Sequence, residues 1–203
     1  MSEHHRPASK WRGILLAAGS GRRFDQSGQR NKLLQPVNDN MTVAVGSAHN
    51  LLAVLPDSLA VLPEIFQNPS AGLLAQSLRD AGCHISICAH AGQGMAASLV
   101  HGLQQSLHYQ GWIIALADMP YVQASSIRQL LGALESGADI ATLCYQGKRG
   151  NPVAFSRTHL AELLMLTGDQ GARNLLQRYP VTEIEVDDPG ILRDIDHPQD
   201  LMR

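Results

Sequence analysis

The sequence predicts a single-domain α/β fold in which helices cover both faces of a mostly parallel β-sheet. Three observations predict it. Short apolar runs alternate with stretches of helical period from residue 13 onward. The run "WIIALAD" (112–118) is almost continuously apolar, as expected of a strand buried on both faces. The chain has 203 residues, 44% of them hydrophobic, which suffices for one well-buried core, and no linker interrupts it.

The elements follow in order. Residues 1–11 are polar, lack the apolar middle of a secretion signal, and read as a disordered lead-in to a domain at 12–203. "GILLAA" (13–18) is a strand that runs into glycine-rich sequence. After the turn-like "NDN", residues 42–55 form a helix. "SLAVLP" (58–63) is a strand, residues 71–80 a helix, and "CHISIC" (83–88) a strand of period two. Residues 95–107 are helical, with Met95, Leu99, Leu103 and Leu107 along one face and Met95 and Leu99 assigned to the core. The strand at 112–118 precedes a helix at 124–135 and a strand "DIATLCY" (139–145). Two further helices and a late strand, "TEIEV" (182–186), complete the chain.

Bulk properties narrow the function. Net charge is −2 and the 16 basic residues are scattered, so there is no nucleic-acid footprint. No apolar run reaches the ~18–20 residues needed to span a bilayer, so no membrane partner is expected. Cys83, Cys88 and Cys144 are an odd set without C-x-x-C spacing; buried structural thiols and a reducing, cytoplasmic location are expected. The histidines, His4 and His5 of the polar tail included, show no zinc-binding spacing.

In open parallel sheets, ligands sit beyond the carboxyl ends of the strands. That rule singles out the loop after the first strand, "GSGRRF" (19–24), and Asp118, at the end of "WIIALAD". The loop is not a dinucleotide fingerprint, because Phe24 stands where the third glycine is needed. No segment supplies the G-x-x-x-x-G-K-[ST] of a P-loop, "GKR" at 147–149 included. What remains is chemistry: glycine-freed backbone N–H groups form anion-binding nests, and Arg22, Arg23 and Lys32 add fixed positive charge. Asp118, held by a buried strand and by Pro120, is placed to hold Mg²⁺, which takes one or two carboxylates plus substrate phosphates. A tight surface turn with solvated arginines, and a capping role for Asp118, are the alternative readings.

"LLAAGSGRRF…NKLL" followed by "ALADMP" resembles the nucleotidyltransferases that begin L-A-A-G-x-(S/G)-x-R, above all the molybdenum-cofactor cytidylyltransferase family. "GQGMAASLVHGL", "GKRGNPVAF", "LTGDQGARNLL" and "LRDIDHPQDL" are similar to its later segments, in the same order, across residues 12–202. The resemblance implies a Rossmann-like three-layer sandwich of nucleotidyltransferase type. It also implies Mg²⁺-dependent transfer of CMP from CTP to a phosphate of a molybdopterin-type cofactor, with a molybdenum enzyme as a further partner. A sugar phosphate or methylerythritol phosphate acceptor, and a non-catalytic nucleotide or cofactor binder, are the rival readings. Motif by motif, Ala17, Ala18, Gly19, Gly21 and Arg22 would shape the nucleotide loop. Arg23 would meet the β- and γ-phosphates, and Lys32 the α-phosphate. Asp118 would hold the metal with a second carboxylate, Asp196 first and Asp194 as the alternative. Gly94 and Ser98 would line the nucleotide pocket, although a helix-start hydroxyl explains Ser98 as well. Arg149, Gly150 and Asn151 would face the acceptor. Asp169 and Arg173 would either bind the acceptor or form an i, i+4 pair at a helix start. Ala18 favours a pyrimidine base, because guanylyl relatives carry L-A-G-G. Two positions depart from the family pattern: Asn151 replaces the histidine of R-G-H-P, and His197 the threonine of the last motif. The loop "FDQSGQR" (24–30) is also longer than usual and reads as flexible.

Overall fold

A computed structural model describes residues 9–19, 21–27, 29–38, 41–64, 69–169 and 171–202. Expectations for residues 1–8, His4 and His5 among them, lie outside the described residues. Strand β1 (Trp11–Leu16) begins inside the segment read as lead-in. Ser9 accepts a hydrogen bond from the Trp11 amide, and Lys10 O accepts one from the Gln110 amide.

The chain then forms a short antiparallel ribbon, β2 (Pro36–Asn38) with β3 (Met41–Thr42), and helix α1 (Val43–Leu52). There follow β4 (Leu59–Pro63), α2 (Pro69–Asp80), β5 (His84–Cys88), α3 (Met95–Gln104) and β6 (Gly111–Leu116). Next come α4 (Ala124–Glu135), β7 (Ile140–Tyr145), β8 (Lys148–Ser156), α5 (Leu160–Leu164), α6 (Arg173–Arg178) and β9 (Thr182–Glu185). The main sheet runs β5-β4-β1-β6-β8-β7-β9. Every pairing in it is parallel except the two made by β8. Among the described residues no helix is long and apolar enough to cross a membrane.

Two cores flank the sheet, which gives the three layers. On one face Leu15, Leu62, Ile113 and Leu143 meet Ala44, Ala48 and Leu51 of α1, Leu74 and Leu78 of α2, and Ile127, Leu130 and Leu134 of α4. On the other, Ile14, Val61, Trp112 and Phe155 meet Leu99 and Leu103 of α3, Leu163 of α5 and Leu175 of α6. Alternate residues of β1 and β6 serve opposite cores, as the pleat requires. Cys83, Cys88 and Cys144 are free and buried, matching the structural reading.

The structure also departs from the sequence reading at β8 and at the ends of α3 and α1. Strand β8 has no counterpart in it. Pro152 and Gly150 break the pattern of "GKRGNPVAF", and proline argues against a central strand because it donates no ladder bond. The chain accommodates it at an irregularity: the β7–β8 register shifts between Thr142 and Cys144, with Pro152 inside the shifted stretch. Helix α3 stops at Gln104, short of residue 107. The Arg12 guanidinium, buried and reaching from β1, donates to Gln105 O at 3.2 Å and to the Ser106 hydroxyl at 3.4 Å and takes over the end of the helix. Leu107 is left 43% exposed, and Met95, at the other end, 42%. Met95 is therefore not a core residue. Helix α1 likewise ends at Leu52 rather than at residue 55.

One buried carboxylate staples the C-terminal third of the chain to α4. Asp188, 2% exposed, accepts from the Gln123 amide (2.8 Å), the Ser126 hydroxyl (2.7 Å) and the Gly190 amide (3.0 Å). Asp188→Ala would leave those donors unsatisfied. It is expected to lower the unfolding free energy by about 2–4 kcal/mol, measured by urea denaturation followed by far-UV circular dichroism.

Candidate functional site

The strand order changes direction at β1: the chain moves from β1 to β4 and β5 on one side, then returns to β6 on the other. The carboxyl ends of β1 and β6 therefore face a crevice. A cavity of 550 Å³ opens there, lined by Leu16 and Ala18 after β1 and by Leu116 and Asp118 after β6.

Its first wall is the loop after β1. Gly21 has φ +61°, the left-handed region that glycine tolerates, and its carbonyl accepts from the amides of Phe24 (2.9 Å) and Asp25 (3.1 Å). The amides of Gly19, Arg22 and Arg23 donate to no acceptor among the described residues, which leaves them available to an anion. The following segment is tied down by Asp25. Its carboxylate accepts from the Ser27 hydroxyl (2.7 Å), the Arg30 amide (2.7 Å) and the Ser27 amide (3.0 Å). These bonds hold its pKa below the usual carboxylate range. The described part of this loop is thus internally hydrogen-bonded. Lys32 opens a 3₁₀ turn (Lys32–Leu34) whose N-cap, Asn31, accepts from the Leu33 amide at 3.0 Å. That cap fixes the base of the Lys32 side chain.

The second wall is acidic. Helix α1 supports the corner after β6: the Ser47 hydroxyl donates to Ala117 O (2.9 Å), and Asn50 Nδ2 to Pro120 O (3.1 Å). The chain end is stitched alongside by Ile195 N, which donates to Asp118 O at 2.9 Å. Asp200 then accepts from the amides of Asp196 (3.1 Å) and His197 (2.7 Å) and sets the position of Asp196. The outcome is a four-membered ion network. Lys32 Nζ lies 2.6 Å from Asp118 Oδ2 and 3.3 Å from Asp196 Oδ1, and Arg23 Nη1 lies 2.5 Å from Asp196 Oδ2.

Residues 193–197 form no strand. Ile195 is buried in the core, 1% exposed, whereas Asp196 lines the cavity and Asp194 is exposed and lies outside the lining. Partial removal from water, and then the negative charges of Asp196 and Asp118, raise the Asp194 pKa above the usual carboxylate range. The sign follows. Folding makes Asp194 harder to ionise than in the unfolded chain, so its ionisation costs stability; that cost is absent at low pH and grows as pH rises through the carboxylate range. Asp194→Asn is expected to raise the melting temperature at neutral pH and to leave it unchanged near pH 3, as read by thermal scans at the two pH values.

A third wall comes from α3 and the loop before α6. Gly94 has φ +115°, and a Cβ there would meet Asp169 Oδ1 at 2.5 Å and Gly168 O at 2.6 Å. The Ala96 amide donates to Gly168 O at 3.0 Å and holds the loop against α3. Ser98, 3% exposed, and Met95 also line the cavity.

Of the residues singled out in the sequence, Ala18, Gly19, Gly21, Arg22, Arg23, Lys32, Gly94, Ser98, Asp118 and Asp196 all line this one cavity. Ala17 is 2% exposed in the core, below the loop. Arg149, Gly150 and Asn151 lie outside the lining. Arg149 is bound to Glu183 at 2.5 Å and to Leu176 O at 3.2 Å, and Gly150 packs on Ile191. Val153 pairs with Ile114, so Asn151 stands two residues further along, toward the carboxyl end of β6. Asp169 and Arg173 form no ion pair: α6 begins at Arg173, and Asp169 lines the cavity. Phe24, Leu33, Ala91, Gly92 and Met95 belong to the lining without having been assigned to it from sequence. The left-handed glycine at 94 is the signal that points to its neighbours.

The lining carries Arg22, Arg23 and Lys32 against Asp118, Asp169 and Asp196, so its formal charges balance. Among the described residues no three His, Cys, Asp or Glu side chains form a metal cage. Two carboxylates that share an ammonium group are nonetheless hard oxygen donors already set around a cation. That is the donor set Mg²⁺ takes when substrate phosphates complete its shell.

Comparison with known proteins agrees with this architecture. The family model described as MobA-like NTP transferase domain matches residues 13–183. Purine catabolism protein PucB of Bacillus subtilis (strain 168) is 26% identical over 197 residues, covering 93% of this chain and 92% of that protein. The crystal structure of Rv0371c from Mycobacterium tuberculosis H37Rv matches with a TM-score of 0.79 at 26% identity, over 98% of each chain. Molybdopterin-guanine dinucleotide biosynthesis protein A from Archaeoglobus fulgidus has the same fold, with a TM-score of 0.68 at 17% identity over 95% of each chain.

Proposed function

This chain belongs to the MobA-like NTP transferase family and is a nucleotidyltransferase; from that premise we propose that it carries CMP from CTP to a phosphate of a molybdopterin-type cofactor. The observation that carries the reading is the meeting, in one 550 Å³ cavity, of the glycine-arginine loop, Lys32 and the Asp118–Asp196 pair. Free amides, three cations and a two-carboxylate site suit a triphosphate, whose phosphates add negative charge to a balanced lining.

In this reading the amides after β1 and Arg23 hold the β- and γ-phosphates, and Arg22 adds charge at the rim. Lys32 neutralises the α-phosphate oxygens, where charge develops in the transition state. An oxygen of the acceptor phosphate attacks the α-phosphorus. The bond from that phosphorus to the bridging oxygen breaks, and pyrophosphate leaves with the electron pair. Asp118 and Asp196 would hold Mg²⁺, which when bound orients and polarises the phosphate oxygens. Gly94 and Ser98 bound the nucleotide, and acceptor entry lies on the β6–β8 side, where Asn151 stands. Ala18 in the L-A-A-G loop supports cytosine over guanine. A molybdenum enzyme that receives the finished cofactor is the partner this reading implies.

The test is pyrophosphate release with Mg²⁺ and each of CTP, GTP, ATP and UTP, with and without molybdopterin cofactor. Release that requires both CTP and cofactor supports the reading. Release with GTP moves the base assignment, and release with a sugar phosphate in place of the cofactor moves the acceptor. No release under any condition overturns the reading.

A further inference from the structure

We propose that Lys32 is the built-in counter-cation of the Asp118–Asp196 pair, and that it keeps a divalent ion out until a nucleoside triphosphate draws it away. The inference rests on the metal assignment above, but its test needs no nucleotide. The ammonium group reaches one oxygen of each carboxylate, 2.6 Å from Asp118 Oδ2 and 3.3 Å from Asp196 Oδ1, and so sits where an ion shared by the two acids would sit. All three side chains are largely withdrawn from water: Lys32 is 10% exposed, Asp196 15% and Asp118 21%. Charges so placed are stable only in company, and each holds the others in position.

A divalent ion bound to both acids would stand within a few ångströms of that ammonium. The two cations would repel strongly in such a partly desolvated site. Arg23 occupies the remaining oxygen of Asp196, Oδ2, at 2.5 Å, but is 72% exposed, so solvent weakens its hold. Lys32 is the stronger obstacle.

Release is built in as well. The Lys32 backbone is fixed by the Asn31 cap, whereas its four-carbon stem rotates freely enough to carry the charge elsewhere. Phosphates entering beside Gly21 and Arg23 supply the alternative partner, and the emptied carboxylates then accept the metal. Metal and nucleotide each raise the other's affinity, as linkage demands.

The experiment is Mn²⁺ titration of the full chain without nucleotide, following the free-ion electron paramagnetic resonance signal. Lys32→Met and Lys32→Gln are expected to bind Mn²⁺ about 10- to 100-fold more tightly than the unaltered protein. Lys32→Arg keeps the cation and is expected to match the unaltered protein. Arg23→Met is expected to gain no more than about threefold. Mn²⁺-induced rises in melting temperature give a second reading on the same variants, and unfolding curves without metal show that each is folded. Tightening in both neutral variants supports the inference whether or not pyrophosphate release is found. Equal or weaker Mn²⁺ affinity in them overturns it, even in protein that releases pyrophosphate.

Discussion

Asp118→Ala is expected to reduce nucleotide-dependent pyrophosphate release by about a thousandfold at saturating Mg²⁺, the scale on which removal of one positioned electrostatic group acts. The loss should fall mainly on kcat, because Arg22, Arg23 and the loop amides still hold the outer phosphates. Asp118→Asn separates charge from shape: it keeps the corner after β6 and the main-chain bond from Ile195, and removes only the negative charge. If the Asn variant loses activity nearly as far as the Ala variant, the carboxylate acts through its charge. Near-normal turnover in the Asn variant would remove Asp118 from the metal-binding role. Both variants should remain folded, since Lys32 retains Asp196 as its partner.

The largest expected effect on stability is at Trp112. Its side chain is fully buried on β6, cross-strand from Phe155, among Ile14, Leu103 and Leu163. Trp112→Ala is expected to cost about 3–5 kcal/mol, through lost burial and the cavity left behind. For a chain of this size that is a fall in melting temperature of roughly 10 °C. Trp112→Phe should cost well under half as much. The indole Nε1 has no hydrogen-bond partner among the described residues, so phenylalanine removes an unpaired buried donor while keeping most of the apolar contact. Urea denaturation followed by far-UV circular dichroism measures both. Equal losses in the two variants would show that the apolar contact phenylalanine retains does not offset the lost fit of the indole.

How much of the site was legible in the sequence varies by element. The loop after β1 and the acid after β6 could be read because strand ends, glycines and an acid beside proline are local signals, and the carboxyl-edge rule of parallel sheets does the rest. Asp196 emerged only through resemblance to a family, because nothing in "DIDHPQD" distinguishes it from a surface carboxylate. Strand β8 was hidden by Pro152 and Gly150, which read as turn residues until the bulge beside them is seen. The end of α3 was misplaced because the group that stops it, Arg12, lies 93 positions before the carbonyl it caps. For Asp169 the sequence leaves open acceptor binding or a helix-start pair; a loop held on α3 through Gly168, in space that a glycine at 94 leaves open, places it in the cavity lining.

By itself the sequence determined the three-layer α/β architecture, the nucleotidyltransferase class, and the two strand ends between which the cavity opens. Period, apolar runs and turn chemistry act over a few residues and survive in any window of the chain. Only the tertiary structure decided which charges meet. Lys32 binds Asp118 across 86 positions and Asp196 across 164, and Arg149 is drawn away to Glu183. Ion pairs of this kind depend on strand order and on which side a loop returns, and no local pattern of residues encodes either.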